Sequence, residues 1–129
     1  MKSIIEKVEK SINLFVDEFT QSPYLHIVEH SWHAHLYYLM KQYPELANIV
    51  TMKNGYKTQL IHKEWPETIA SEGTKRGNFD LVVFEPEKIT NCSIKEFIGG
   101  KIHPQIVIEM GVNYPQEIQS NIFLKTLRN

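Results

Sequence analysis

The chain has 129 residues, 42% hydrophobic and 22% charged, the proportions of one ordinary globular domain, which excludes a disordered or fibrous chain. Fourteen basic residues against fifteen acidic ones give a formal net charge of −1, with neither half forming a charged tail. This balance excludes a polybasic binder held mainly by counterion release, so any nucleic-acid contact needs a local patch.

Ser3 to Phe19 reads as an amphipathic helix, because Ile4, Val8, Ile12, Phe15 and Phe19 recur at spacings of three and four. Ser3 followed by Glu6 has the form of a capping box. Ser22-Pro23 carries a second start signal, a cap residue and then proline at the first helical position. From there Leu25, Val28, Trp32, Leu36 and Leu39 form an apolar stripe, which Pro44 ends near Tyr43. Asn54-Gly55 lies between Ala47–Lys53 and Tyr56–Trp65, and predicts a hairpin whose first arm has a short helix as its alternative. Pro66 to Asn78 is polar, contains Gly73 and Gly77, and reads as a loop.

Phe79 to Phe84 is an apolar strand closed by Glu85-Pro86, and Gln105 to Met110 is a second one, followed by Gly111. Between them lies an irregular stretch with one helical turn at Ser93 to Ile98, ended by Gly99-Gly100. Ile118, Ile122 and Leu127 mark a last helix. Strands apolar on both faces are central and carry helices on each side. The order therefore predicts an α/β (α+β) layered domain, a mixed β-sheet flanked by helices, spanning 1–129 as a single unit.

The lone Cys92 makes no internal disulfide and fits a reducing, cytoplasmic setting. No apolar run approaches the ~20 residues of a membrane span. The N-terminus alternates apolar and charged residues, unlike the apolar core of a signal peptide.

Two acids stand inside the most apolar strands. Asp80 interrupts a run of Phe, Leu, Val, Val and Phe, and Glu109 follows Ile-Val-Ile. An unpaired buried carboxylate is costly, so each must be protonated, hydrogen-bonded, paired or bound to a cation. Two acids from neighbouring strands can hold Mg²⁺ (or Mn²⁺), which takes few protein carboxylates and keeps several waters. Such an ion orients water and stabilises charge on a phosphodiester under attack. The plainer alternative makes both acids strand-end residues, solvated or paired with Lys75 and Arg76. Glu29 lies at the edge of the second helix's apolar face, where it either projects towards the sheet or forms a simple rim. Glu64 ends a strand beside Trp65-Pro66, as a further metal-site acid or an exposed strand end.

With Asp80 opening Asp-Leu-Val-Val-Phe and Glu109 closing Ile-Val-Ile-Glu, the chain resembles the PD-(D/E)XK nuclease superfamily over roughly residues 22 to 129. The resemblance implies a restriction-endonuclease-like core and a Mg²⁺-dependent phosphodiesterase acting on DNA. It makes Asp80 and Glu109 metal ligands and Glu29 an accessory ligand or orienter. It also brings DNA and a second copy of the chain, in a homodimer, into view as partners. The family's lysine, two residues beyond the Glu109 position, is replaced here by Gly111, and Phe79 stands where a proline precedes the first acid. Some relatives carry the basic residue elsewhere, which brings Lys101 and Lys125 forward as substitutes. Relatives commonly continue into another strand beyond the last helix, so a pared-down or fragmentary C-terminus is expected. Gln119 and Phe123 faintly echo exonuclease-type relatives. Gly111 also supports the alternative function, a nuclease-like scaffold without catalysis that binds nucleic acid or protein.

His26, His30 and His33, with His35 nearby, are spaced for metal binding from one helix face but lack a His-Glu-x-x-His arrangement. They read first as polar-face residues, with His33 placed to hydrogen-bond near Glu29. Glycine-rich phosphate loops, nucleophile elbows and dinucleotide fingerprints are missing from the sequence.

Overall fold

A computed structural model describes residues 2–69, 74–113 and 121–128, with the backbone alone treated over 67–69, 74–76, 112–113 and 121–128. The first apolar stripe builds α1 (Lys2–Gln21), which buries Ile4, Val8, Phe15 and Phe19 along one side. Ser11 is buried on the same face, and its hydroxyl donates to the Lys7 carbonyl at 2.8 Å, so the apolar stripe admits it without an orphaned polar group. Ser3 lies inside α1 and not at its cap; the capping box belongs instead to Ser93 and Glu96.

The second helix, α2 (Glu29–Lys41), starts later than Ser22-Pro23 predicts. Val28 is extended, and Leu25 and Val28 are 58% and 59% exposed. Trp32 provides the physical reason. Its ring is fully buried against Phe15 and Phe19, at centroid distances of 5.4 and 5.0 Å. A buried indole N–H needs an acceptor, and it donates to the His26 carbonyl at 3.1 Å. In a helix running from Pro23 that carbonyl would accept from the His30 amide, so the tertiary contact overrides the local start signal.

Pro44 opens the short α3 (Pro44–Ala47). β1 (Ile49–Thr51) and β2 (Lys57–Gln59) then form the expected hairpin, with Gly55 at φ +92° in its turn. The chain next enters a four-stranded sheet of β3 (Ile61–Ile69), β4 (Thr74–Val83), β5 (Ile106–Asn113) and β6 (Asn121–Arg128), in that spatial order. Between β4 and β5 run the short α4 (Pro86–Thr90) and α5 (Ile94–Ile98). The molecule is therefore α+β.

Every strand pairing among the described residues is antiparallel, instead of the expected mixed sheet. The joining stretches 70–73 and 114–120 are shorter than the roughly dozen residues a parallel crossover needs. The segment read as a loop over 66–78 is largely strand, because β3 and β4 continue pairing through Pro66↔Asn78 and Glu67↔Gly77. Pro66 is tolerated because β3 is an edge strand, where a missing amide need not break a ladder. The predicted last helix is also overturned. Asn121 to Arg128 pairs along all of β5, from Ile106↔Arg128 to Asn113↔Asn121, and satisfies an edge that would otherwise stand open.

Leu81, Val82 and Val83 are all fully buried, so both faces of β4 are covered, as a central strand requires. These residues join Trp32, Leu36 and Met40 of α2 in one apolar cluster with Phe15 and Ile108. No helix among the described residues is long and apolar enough to cross a membrane.

Phe15→Ala is expected to cost about 3–5 kcal/mol in urea denaturation, and Leu25→Ala less than about 0.5 kcal/mol. Comparable losses would contradict the start of α2 at Glu29. A pH dependence follows from His62, which packs against Trp65, Phe84 and Phe97. Burial pushes its imidazole below the ordinary 6.5; the Gln59 carbonyl opposes this and Lys41 reinforces it. Below 6.5 the unfolded state takes up a proton that the folded state resists, so this contribution is full above 6.5 and declines as pH falls through the folded value. The urea midpoint should drop between about pH 7.5 and about pH 5.5, and drop less in His62→Gln.

Candidate functional site

Register places four charged residues at one level of the sheet. Lys63↔Leu81 and Trp65↔Phe79 flank Glu64 and set it opposite Asp80. Leu81↔Ile108 is the last β4–β5 pair, and one further step would oppose Asp80 to Glu109. Glu109 in turn pairs with Lys125 on β6. The order across β3, β4, β5 and β6 is thus Glu64, Asp80, Glu109, Lys125. Like charges on neighbouring strands at one level repel, and a donor or cation nearby offsets that repulsion.

Part of that compensation is visible. The β4–β5 ladder ends at Leu81↔Ile108, and the Asp80 carboxylate takes over as acceptor, receiving the Met110 amide at 2.7 Å through Oδ2. The hydrogen bond pins the carboxylate where the two strands part.

Helix α2 brings two histidines to this level. His33 stands three residues before Leu36 and seven before Met40, both buried, so helical phase carries it into the core face. It is 5% exposed, and among the described residues neither ring nitrogen has a hydrogen-bond partner. Its Nε2 lies 3.8 Å from Asp80 Oδ2, beyond hydrogen-bonding distance. Leaving a buried imidazole nitrogen unsatisfied costs about 1–3 kcal/mol. His30, one turn earlier and exposed, sets its ring 5.8 Å from that of His33.

Glu64 completes the approach from β3 in an unusual backbone conformation. Its φ is 55°, in the left-handed region, which costs a residue with a Cβ about 1–2 kcal/mol. The strand's alternation breaks there: His62 and Trp65 lie three residues apart yet set their ring centroids 5.1 Å apart, where regular pleating would send them to opposite faces. Donor atoms of His30, His33 and Glu64 all lie within 4.8 Å of one another, the set of three that converges among the described residues.

Asp80, Glu109 and Glu64, singled out from the sequence, thus fall on adjacent strands at one level, but of these only Glu64 belongs to the converging set. Glu29 is the first residue of α2, exposed, one turn before His33. His26 lies outside the helix, with its ring 4.8 Å from Trp32 and 5.0 Å from His35. His35 bonds Glu18 of α1. Lys101 is committed elsewhere: its ammonium donates to Glu96 at 2.7 Å and its side chain is 69% exposed. That contact holds the Glu96 carboxyl down at about 2, with help from Ser93. The side chains of Lys75, Arg76 and Lys125, and all of Gln119, lie outside the described residues. The histidine spacing on α2 reads first as a polar face with metal binding as its alternative; what it does not show is the placement of His33 on the buried Leu36–Met40 side.

Glu64→Gly should stabilise the protein by about 0.5–1 kcal/mol by relieving the left-handed backbone, whereas Glu64→Ala, which keeps a Cβ, should not. Urea denaturation of the two variants beside the wild type checks this; equal effects would deny the strain.

Compared with protein-family models, curated proteins and solved structures, the chain matches none.

Proposed function

We propose that the chain is a Mg²⁺-dependent phosphodiesterase acting on DNA, built on a restriction-endonuclease-like core in a cytoplasmic setting. The observation that carries this reading is the row of Glu64, Asp80 and Glu109 on three adjacent strands, at the point where the β4–β5 ladder stops. The donor chemistry fits: hard carboxylate oxygens suit Mg²⁺ or Mn²⁺, and one or two of them suffice because the ion keeps its waters. Asp80 and Glu109 would hold the ion, with Glu64 at the margin and Glu29 as an outer acid. When bound, the ion supplies an activated water and charge stabilisation at the scissile phosphate.

The protein's own residues do the positioning. The Met110 amide fixes one Asp80 oxygen and leaves the other to bind. Gly111 offers no side chain to the attacking water or the phosphate. Lys125 is the residue we assign to that role, because its register position is opposite Glu109. Lys101 is a poor substitute, since Glu96 already engages it.

A second reading, a nuclease-like scaffold that binds nucleic acid or protein without catalysis, draws its support from Gly111.

The test is cleavage of plasmid DNA with Mg²⁺ or Mn²⁺ by wild type and Asp80→Asn, which keeps an acceptor for Met110. A loss of at least about 100-fold in rate is expected, since the change removes a carboxylate ligand from the ion that stabilises the reacting phosphate. Equal rates in the two proteins would reject the assignment, and an inert wild type that still binds the metal would favour the scaffold.

A further inference from the structure

We infer that His30, His33 and Glu64 form a second kind of metal centre, for a borderline transition-metal dication of the Zn²⁺ class. It goes beyond the phosphodiesterase reading, which rests on carboxylates and Mg²⁺. Both ring nitrogens of His33 are buried and, among the described residues, have no hydrogen-bond partner, although neighbouring residues of the same helix are well packed. Buried polar side chains in folded proteins nearly always find a partner, and an ion is one of the few that leaves no protein atom in its place. The donors point the same way. Two imidazoles and one carboxylate are the set that Zn²⁺, Co²⁺ or Ni²⁺ prefers, while Mg²⁺ discriminates against nitrogen.

The geometry supports it. His30 and His33 are three residues apart on α2, so both rings leave the same side of the helix. Glu64 comes from the edge strand, and all three donor atoms lie within 4.8 Å of one another. Tetrahedral coordination at about 2.0–2.1 Å sets neighbouring donors about 3.4 Å apart. Closing that gap takes up to about 1.4 Å of adjustment, which exposed His30 and Glu64 can supply while buried His33 stays fixed. Three protein donors leave a fourth position for water. Asp80, 3.8 Å from His33 Nε2, stands as a further carboxylate at the margin and ties this centre to the acid row.

The alternative occupant of His33 is a proton shared with Asp80. That pairing would satisfy one nitrogen at most, and the 3.8 Å separation is too long for a hydrogen bond. It also leaves His30 and Glu64 without a reason to converge.

The experiment is a titration of the full chain with Co²⁺, read by its visible d–d absorption, with Zn²⁺ as competitor and circular dichroism as the folding control. Wild type should bind a single equivalent with a tetrahedral spectrum, which Zn²⁺ displaces and excess Mg²⁺ does not. His33→Gln and Glu64→Gln should each weaken binding at least about tenfold, and Asp80→Asn should change it by less than that. If buried His33 does not tolerate replacement, exposed His30→Gln carries the same expectation. No Co²⁺ spectrum in the wild type, or affinity unchanged in His30→Gln, would overturn the site. Because His30 and His33 lie outside the acid row, the Co²⁺ spectrum and the Asp80-dependent cleavage fail separately.

Discussion

The Met110 amide takes its hydrogen-bond acceptor from the Asp80 side chain, not from the main chain of β4. One carboxylate thereby does two things. It satisfies a strand amide at the point where the ladder would otherwise leave it bare, and it holds a charge in the middle of an apolar sheet. Everything chemical about the site is arranged around that point: Glu64 opposite on β3, Glu109 beside it on β5, and His33 above it from α2. Three acids at adjacent register positions are an unfavourable arrangement in the absence of positive charge.

The helix layer contributes through a different interaction. Trp32 is locked between Phe15 and Phe19 and by its bond to the His26 carbonyl, which sets both where α2 begins and how it is rotated. Rotation decides the chemistry: with Trp32, Leu36 and Met40 buried, His33 must enter the core and His30 must stand at its rim. At the other end of α2, Tyr37 and Lys41 both donate to Gln59 of β2, fastening the helix to the hairpin. A centre built this way has one rigid buried ligand and two that can adjust, a combination suited to capturing an ion from solvent.

The strands were legible because apolar runs bounded by Gly and Pro have few other uses, and Asp80 and Glu109 stood out because charge is conspicuous inside such runs. Other elements depended on partners that local pattern does not contain. Pro66 to Asn78 has the polarity of a loop, yet it pairs because the sheet edge tolerates proline and polar residues. Asn121 to Arg128 has an ambiguous apolar pattern, and the unpaired edge of β5 decides in favour of strand. Ser22-Pro23 is a sound start signal, but Trp32 claims the His26 carbonyl. From the sequence Glu64 reads as a further metal-site acid or an exposed strand end; its left-handed backbone has no sequence signature, since glycine and not glutamate would announce it.

The two proposals place divalent cations beside His33 of α2 and beside the Asp80 and Glu109 carboxylates of β4 and β5. Anomalous diffraction from crystals grown with Co²⁺ and, separately, with Mn²⁺ tests this most directly. A Co²⁺ peak is expected at bonding distance from a ring nitrogen of His33, with His30 and Glu64 drawn in around it, and a Mn²⁺ peak against the Asp80 and Glu109 carboxylates. Ordered side chains with no peak beside His33, Asp80 or Glu109 would contradict both.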